Sequence, residues 1–576
     1  MRSTRKTKAP RSRWVARLAM LGLAGLVGGW VVTHLPKAPV GPRFVGAGQE
    51  TPEPGGVFVF SAGSNIHTLD PHFAYDTLST AACRLLYDGL LDYDYDGNMI
   101  PSLAVALPEV SDNGKVFRFT LRDGVQFHNG KPLTAEDVSW SLHRLLSEKI
   151  GSPGYPFYKS IVGAPAFHAG ETDHIPGIVV VDDKTIEFRL DEPDQTFLNA
   201  LAMPFAYPIE RTHVEALEAA EGRTAVGRNP IGTGPFSLRR WERGVQVEFD
   251  RFDGYWNPAA RPDVMVFLEN ISADVASARF RNGGLDIIHR PSKVNRLFFR
   301  ESKPWAPYRA EAPSPSVFAL GLNCELPPFD NVHVRRAIAF AIDRSKLERL
   351  DPGTVIPATQ ILPPMVAPHD PGLEARQGFD LARAKEEMRL AGYPDGLPEP
   401  VTLWVRGDGE VRVAQFFQQD LQKIGIEIEL KLVTFATYLK ETGKPRVAQA
   451  AFTGWHQDFP DPSNFMDILF HSRSIHPENS ENRSFYRNPK LDALLDRARP
   501  ELDRAVRLEL YAEANAILAS DAPWVFLYYP IEMFVWQPFV KNFRPHPVWP
   551  NEYRNIWLDL PKKRVEQRIY AAEGAS

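Results

Sequence analysis

The chain has 576 residues, 44% hydrophobic and 24% charged, with a net charge of −5. That length is too great for one compact core and implies several domains, and the composition is that of a soluble globular body. Seven bases and no acid fall in residues 1–17 (Arg2, Arg5, Lys6, Lys8, Arg11, Arg13, Arg17), so the remainder is markedly acidic, which excludes a nucleic-acid groove lined by a basic stripe.

Leu18 to Val32 follows without a charge. Bases ahead of an apolar run are the layout of an export signal, and they keep the N-terminus on the cytoplasmic side while the rest is sent outward. The first cysteine is Cys83, so no lipid-accepting cysteine follows the run. No small-x-small cleavage motif directly follows Val32, and the nearest is Val45-Gly46-Ala47. The apolar run is shorter than the ~20 residues of a full span. Two readings stand for residues 1–35: an uncleaved inner-membrane anchor and a cleaved signal. Residues 36–54, rich in Pro and Gly, read as a tether.

Folding signals begin at Gly55-Gly56. Val57-Phe58-Val59-Phe60 predicts a buried strand. Leu78, Leu85, Leu86 and Leu90 have helix-like spacing over 78–91. Asn113-Gly114 signals a turn, and 116–122 alternates at its C-terminal end as a half-buried strand does. Thr134 with Asp137 predicts a capped helix start, followed by Val138, Leu142, Leu145 and Leu146 on one face. Helical patterns recur at 331–343, 380–391, 411–424 and 490–519, with strand-like runs at 245–249, 401–405, 426–433 and 524–529. Their irregular alternation predicts α/β domains with mixed sheets.

Common enzyme signatures are absent. No Gly-Lys pair continues into a P-loop Ser or Thr, and there is no HExxH helix and no GxSxG elbow. Asp92-Tyr93-Asp94-Tyr95-Asp96-Gly97 begins like a calcium loop, but position twelve is Leu103 and Pro101 interrupts it, so a turn at Asp96-Gly97 is expected. His128 and His456 read as surface or packing residues rather than ligands. Cys83 and Cys324 form no CxxC or Cys/His cluster and read as two buried free thiols. No metal, no cofactor and no catalytic residue is expected.

Four blocks carry a resemblance. They are Leu69-Asp70-Pro71-His72 with Leu86-Tyr87-Asp88-Gly89-Leu90-Leu91 and Pro101-Ser102-Leu103-Ala104; Leu121 to Val138; Asn229-Pro230-Ile231-Gly232-Thr233-Gly234-Pro235-Phe236 with Trp241, Gly244 and Tyr255-Trp256; and Pro328-Phe329-Asp330-Asn331 with Val334-Arg335-Arg336-Ala337-Ile338. A fifth, weaker piece is Gly454-Trp455-His456-Gln457-Asp458 with Asp461-Pro462. Over about residues 56–560 the chain resembles the family 5 extracellular solute-binding proteins of bacterial ABC importers, the oligopeptide and dipeptide group. Gly232, Gly234 and Pro235 themselves suit a tight reversal where a side chain would clash.

The resemblance implies a two-lobed periplasmic-binding-protein-like II fold, an α/β architecture with an extra domain inserted in the first lobe. Domain I would take 55–85, 225–310 and 525–560, domain II the insertion 86–224, and domain III 311–524. It implies a monomer that delivers a peptide ligand from outside the cytoplasm to an ABC permease and ATPase in the inner membrane. An anchored peptide-sensing or chaperone-like receptor, or a non-peptide solute, is the alternative. Asp458 would pair with the peptide ammonium, Gly454 and Trp455 would supply backbone and pocket, and Tyr75 and Thr77 would face the peptide from domain I. Some members hold the ligand carboxylate with an arginine where this chain has Phe452, and some have a cysteine in place of His456. Arg406 is the candidate substitute clamp.

Overall fold

Val57–Ser61 lies parallel to Val264–Leu268, which pairs antiparallel with Gln246–Arg251, and Phe236–Glu242 completes a four-stranded sheet. The computed structural model describes residues 52–559 except Ala260; the basic and apolar N-terminal segments lie outside them. Both faces of this sheet are covered. Phe58, Phe60, Met265 and Phe267 enter one core with Tyr553, and Val57, Val59 and Val266 enter another with Phe280, Phe299 and Val535. Burial on both sides explains why the first strand is an unbroken apolar run rather than an alternating one.

A second four-stranded sheet, in the spatial order Glu109–Ser111, Val116–Thr120, Thr185–Arg189 and Ile178–Asp182, buries one face only. Phe117 and Phe119 point inward while Arg118 reaches Glu187 on the outer face. The helix Ala135–Leu146 starts at the expected capping box, with Thr134 and Asp137 bonded reciprocally, and packs Val138, Leu142 and Leu145 on this sheet's core.

The third sheet has eight strands. Its main order is Ile287–His289, Trp524–Trp536, Ser316–Leu322, Ala450–His456, Val401–Val405 and Ile428–Leu432. Arg309–Pro313 and Val355–Pro357 add to Trp524–Trp536. That strand is longer than the expected 524–529, because the chain stays extended through Pro530, whose carbonyl accepts from Ser314 N at 2.8 Å. Its first half pairs with Phe318–Gly321 and its second with Arg309–Pro313, so one strand joins two parts of the sheet.

Other elements depart from the expected limits for physical reasons. The 78–91 pattern is helical only over Thr77–Leu86, and Leu91–Tyr93 is already a strand. The 490–519 pattern is two helices, Pro489–Ala498 and Arg504–Asp521, because Pro500 stops the first and Asp503 caps the second. Asp94 accepts from Asp96 N and Asn98 N, which closes the turn between Leu91–Tyr93 and Met99–Pro101. A Cβ on Gly232 would stand 2.1 Å from Leu86 O, and one on Gly234 would stand 2.5 Å from Leu86 C. These glycines therefore permit a backbone approach that no side chain allows. Cys83 and Cys324 are free thiols, the first buried and the second half-buried.

Candidate functional site

The strand Ala450–His456 delivers its chain into a short segment that ends at the helix Ser463–Phe470. Asp461 fixes that segment: its carboxylate accepts from Ser463 N at 2.9 Å and takes a two-pronged bond from Arg507 at 2.7 and 2.8 Å. Asn464, in the first helical turn and 0% exposed, orders the rest. Its Oδ1 accepts from Trp455 Nε1 and from Asp458 N, both at 2.9 Å, and its Nδ2 donates to Asp458 Oδ2 at 2.9 Å. The motif reading passed over Asn464. A buried amide two residues beyond Asp461-Pro462, which must satisfy both its ends, was the available signal.

Tyr75, distant in sequence, meets Asp458 at this point. Its hydroxyl donates to Asp458 Oδ2 at 3.4 Å, and its ring leans on Phe205 and Phe157. Tyr75, Thr77, Met203, Phe205, Asp458 and Trp549 share a cavity of about 60 Å³, with His456 and Gln457 on the same wall. Trp549 is fixed by Asp92, whose Oδ1 accepts from the indole N–H at 2.7 Å, and by Arg84, 4.2 Å above the ring. Asp92, Glu552, Arg84 and Arg554 form a buried ionic cluster behind it. Burial works against the Glu552 carboxylate, but Arg554 and Arg84 outweigh it and hold the group down at about 2.

Asp458 has no such compensation. Burial lifts its carboxyl to about 7, the bonds from Asn464 and Tyr75 pull weakly the other way, and Glu481 adds to the rise. Among the described residues no basic side chain forms an ion pair with it. Beside it, burial lowers His456 to about 4, so its ring is neutral at pH 7. His456 Nδ1 bonds Ser316 Oγ at 2.6 Å, while His456 Nε2 and Gln457 Oε1 are buried without a partner.

Residues 98–476 match the sequence profile described as bacterial extracellular solute-binding proteins, family 5 Middle. The chain belongs to that family. It is 26% identical over 506 residues to the dipeptide-binding protein of Escherichia coli (strain K12), covering 84% of this chain and 91% of that one. It is 30% identical over 485 residues to the glutathione-binding protein GsiB of Salmonella typhi, covering 81% and 88%. Among solved structures, the ABC transporter-associated periplasmic binding protein DppA from Helicobacter pylori, in complex with the peptide STSA, is 28% identical with a TM-score of 0.75, covering 88% and 99%. The fold is thus the three-domain, mixed α/β type II binding-protein fold expected from the sequence, and the molecule is an extracytoplasmic binding protein rather than an enzyme.

In this solute-binding protein Tyr75, Thr77 and Asp458 meet at one cavity, whereas Gly454 and Trp455 do not line it. A Cβ on Gly454 would come 2.7 Å from the Phe318 ring, so its absence serves strand packing. Trp455 packs on the core of the helical layer and reaches the site only through Asn464. Phe452 is buried in the sheet's core. Arg406 is spent on Glu410, to which its Nε donates at 2.7 Å, and its guanidinium lies 4.7 Å from the Tyr438 ring centre.

Proposed function

We propose that this solute-binding protein captures peptides between its lobes and delivers them to an inner-membrane ABC permease and its ATPase. Asp458 carries the reading. A carboxyl lifted to about 7 and lacking a basic partner is incomplete, and a peptide ammonium completes it. Leaving either charge buried and unpaired is costly, so the two groups specify each other. Gln457 Oε1 and His456 Nε2 stand ready for polar groups of an extended ligand, consistent with a peptide lying along the strands. The dipeptide specificity named for the Escherichia coli relative and the peptide in the Helicobacter pylori structure support the same reading.

In this reading domain I comprises 55–85, 225–310 and 525–560, domain II 86–224 and domain III 311–524. Tyr75 and Thr77 then face Asp458 across the cleft, with Gly454 and Trp455 behind it. The molecule acts as a monomer, and residues 18–32 hold it to the inner membrane through the 36–54 tether. Titration calorimetry with free and N-acetylated peptides tests the pairing. Asp458→Asn should cost about 2–5 kcal/mol for the free peptide and little for the acetylated one. Equal affinity of wild type and variant for the free peptide removes Asp458 from the site.

A non-peptide or modified-peptide solute is the second reading. Its observation is that Phe452 and the ion-paired Arg406 offer no free guanidinium to a ligand carboxylate. Glutathione, the ligand named for the 30%-identical relative, belongs in the same titration series.

A further inference from the structure

The 67–77 segment also lines a second depression, of about 440 Å³ and open to solvent, that shares no lining residue with the first. Arg223, Arg228 and Arg243 surround it, with His67, Thr68 and Thr224 between them. Its one carboxylate, Asp70, is already neutralised. Asp70 Oδ2 accepts from Arg144 Nη2 at 2.8 Å, and Oδ1 accepts from Arg144 Nη1 and from His72 N. The depression is therefore positive on the surface of an otherwise acidic body.

Several buried arginines of the described residues are spent on carboxylates, and these three are not held in that way. Arg84, Arg144, Arg507 and Arg554 each bind at least one carboxylate within 3 Å or less. Among the described residues, Arg243 has only the Trp241 ring, 4.7 Å away. Arg223 bonds the Ile150 carbonyl and covers Phe73, and Arg228 meets only Glu221, at 3.7 Å with both side chains about half exposed. Three planar donor forks, two from the turn Arg223–Arg228 and one from Arg243 after the strand Phe236–Glu242, line one space, and only Arg228 has a carboxylate near it, at 3.7 Å. A carboxylate has two oxygens and is satisfied by one fork. A phosphate-bearing group offers three or more charged oxygens and engages several forks at once. The volume also suits a molecule larger than inorganic phosphate.

We propose that this depression is a second binding site, for a phosphate-bearing anion held jointly by Arg223, Arg228 and Arg243. The phosphate belongs either to a soluble phosphorylated molecule or to the headgroup of an anionic phospholipid. The site faces water, so its affinity falls as salt rises.

Calorimetry of the full-length protein with pyrophosphate at low salt is the test. Saturable binding is expected, weakened about tenfold or more in the variant Arg223→Gln/Arg228→Gln/Arg243→Gln, with cleft peptide binding and melting temperature unchanged. Arg243→Gln alone removes no ion pair, so it should fold normally and still weaken binding. Anionic phospholipid vesicles that compete with pyrophosphate in the wild type and not in the triple variant assign the headgroup. Arginine-dependent pyrophosphate binding that vesicles leave unchanged assigns the soluble ligand. No binding at about 10 mM pyrophosphate, or equal binding by wild type and triple variant, overturns the proposal.

Discussion

Asp458 titrates where the protein works. With the empty-cleft carboxyl at about 7, an ammonium ligand arriving at lower pH must expel a proton before it can pair. Affinity for a free-amine peptide should therefore fall by about tenfold per pH unit below 7, until the pKa of the bound state is reached. The groups facing this carboxyl are the Tyr75 hydroxyl, the Asn464 amide and the more distant Glu481, and burial pushes the Tyr75 hydroxyl far up, so none of the first two competes in that window. Calorimetry from pH 5.5 to 8 on wild type and Asp458→Asn checks this, and the variant's profile should be flat. The same shift acts on folding with a definite sign. The folded pKa lies above the usual 3.8, so this stabilising contribution is full below about pH 4 and is lost as pH rises through 7. Asn464 is the residue on which the arrangement depends. Asn464→Ala leaves the Trp455 and Asp458 N–H groups without their acceptor, and a loss of about 1–3 kcal/mol in stability is expected by denaturant titration, together with weaker peptide binding.

At the scale of elements, legibility followed physics that is local. Val57–Ser61 could be read because a strand buried on both faces must be apolar throughout, and Ala135–Leu146 because Thr134 and Asp137 close a capping box within four residues. The Gly232 and Gly234 reversal was readable as a glycine requirement, and the 2.1 Å approach to Leu86 O supplies its cause. Gly232→Ala should accordingly lower stability by about 1–3 kcal/mol or more, measured by thermal or urea unfolding. What could not be read was decided by distant chain. The long strand Trp524–Trp536 continues through a proline because two other segments pair with it on either side of Pro530. In the candidate site, Asp458, Tyr75 and Thr77 were placed together by resemblance and do share a cavity. Gly454 and Trp455 lie nearby in sequence yet turn to Phe318 and Asn464 instead. The Phe318 ring closes over Gly454 and Trp455 is drawn to Asn464, so adjacency to Asp458 did not place them on the cavity.

At the scale of the whole molecule, the domain division proposed above makes several contacts bridges across the cleft. Arg499 donates to Asp194 Oδ2 at 2.7 Å, Gln457 Nε2 to Pro547 O at 3.1 Å, and Phe459 enters the core of the one-sided sheet. Asp194 is 3% exposed; burial opposes its charge, and Arg499 outweighs it and keeps the carboxylate below its usual range. Removing Arg499 leaves that charge buried and unpaired in the closed form, and opening relieves it. Arg499→Ala should shift the population toward an open form, seen as a larger radius of gyration in solution scattering and as weaker apparent peptide affinity by up to about tenfold.

Trp524–Trp536 also sets the order in which the molecule is completed. The first strand, Val57–Ser61, emerges early, but its lobe also needs Ile287–His289 and Arg309–Pro313 to meet a partner more than two hundred residues downstream. Ser316–Leu322 waits for the same strand, so nearly the whole described chain must be present before the third sheet is complete. A chain cut before Trp524 lacks the strand that joins the two parts of that sheet. It should collapse without acquiring peptide binding, a vulnerability late in synthesis that belongs to the connectivity rather than to any single contact.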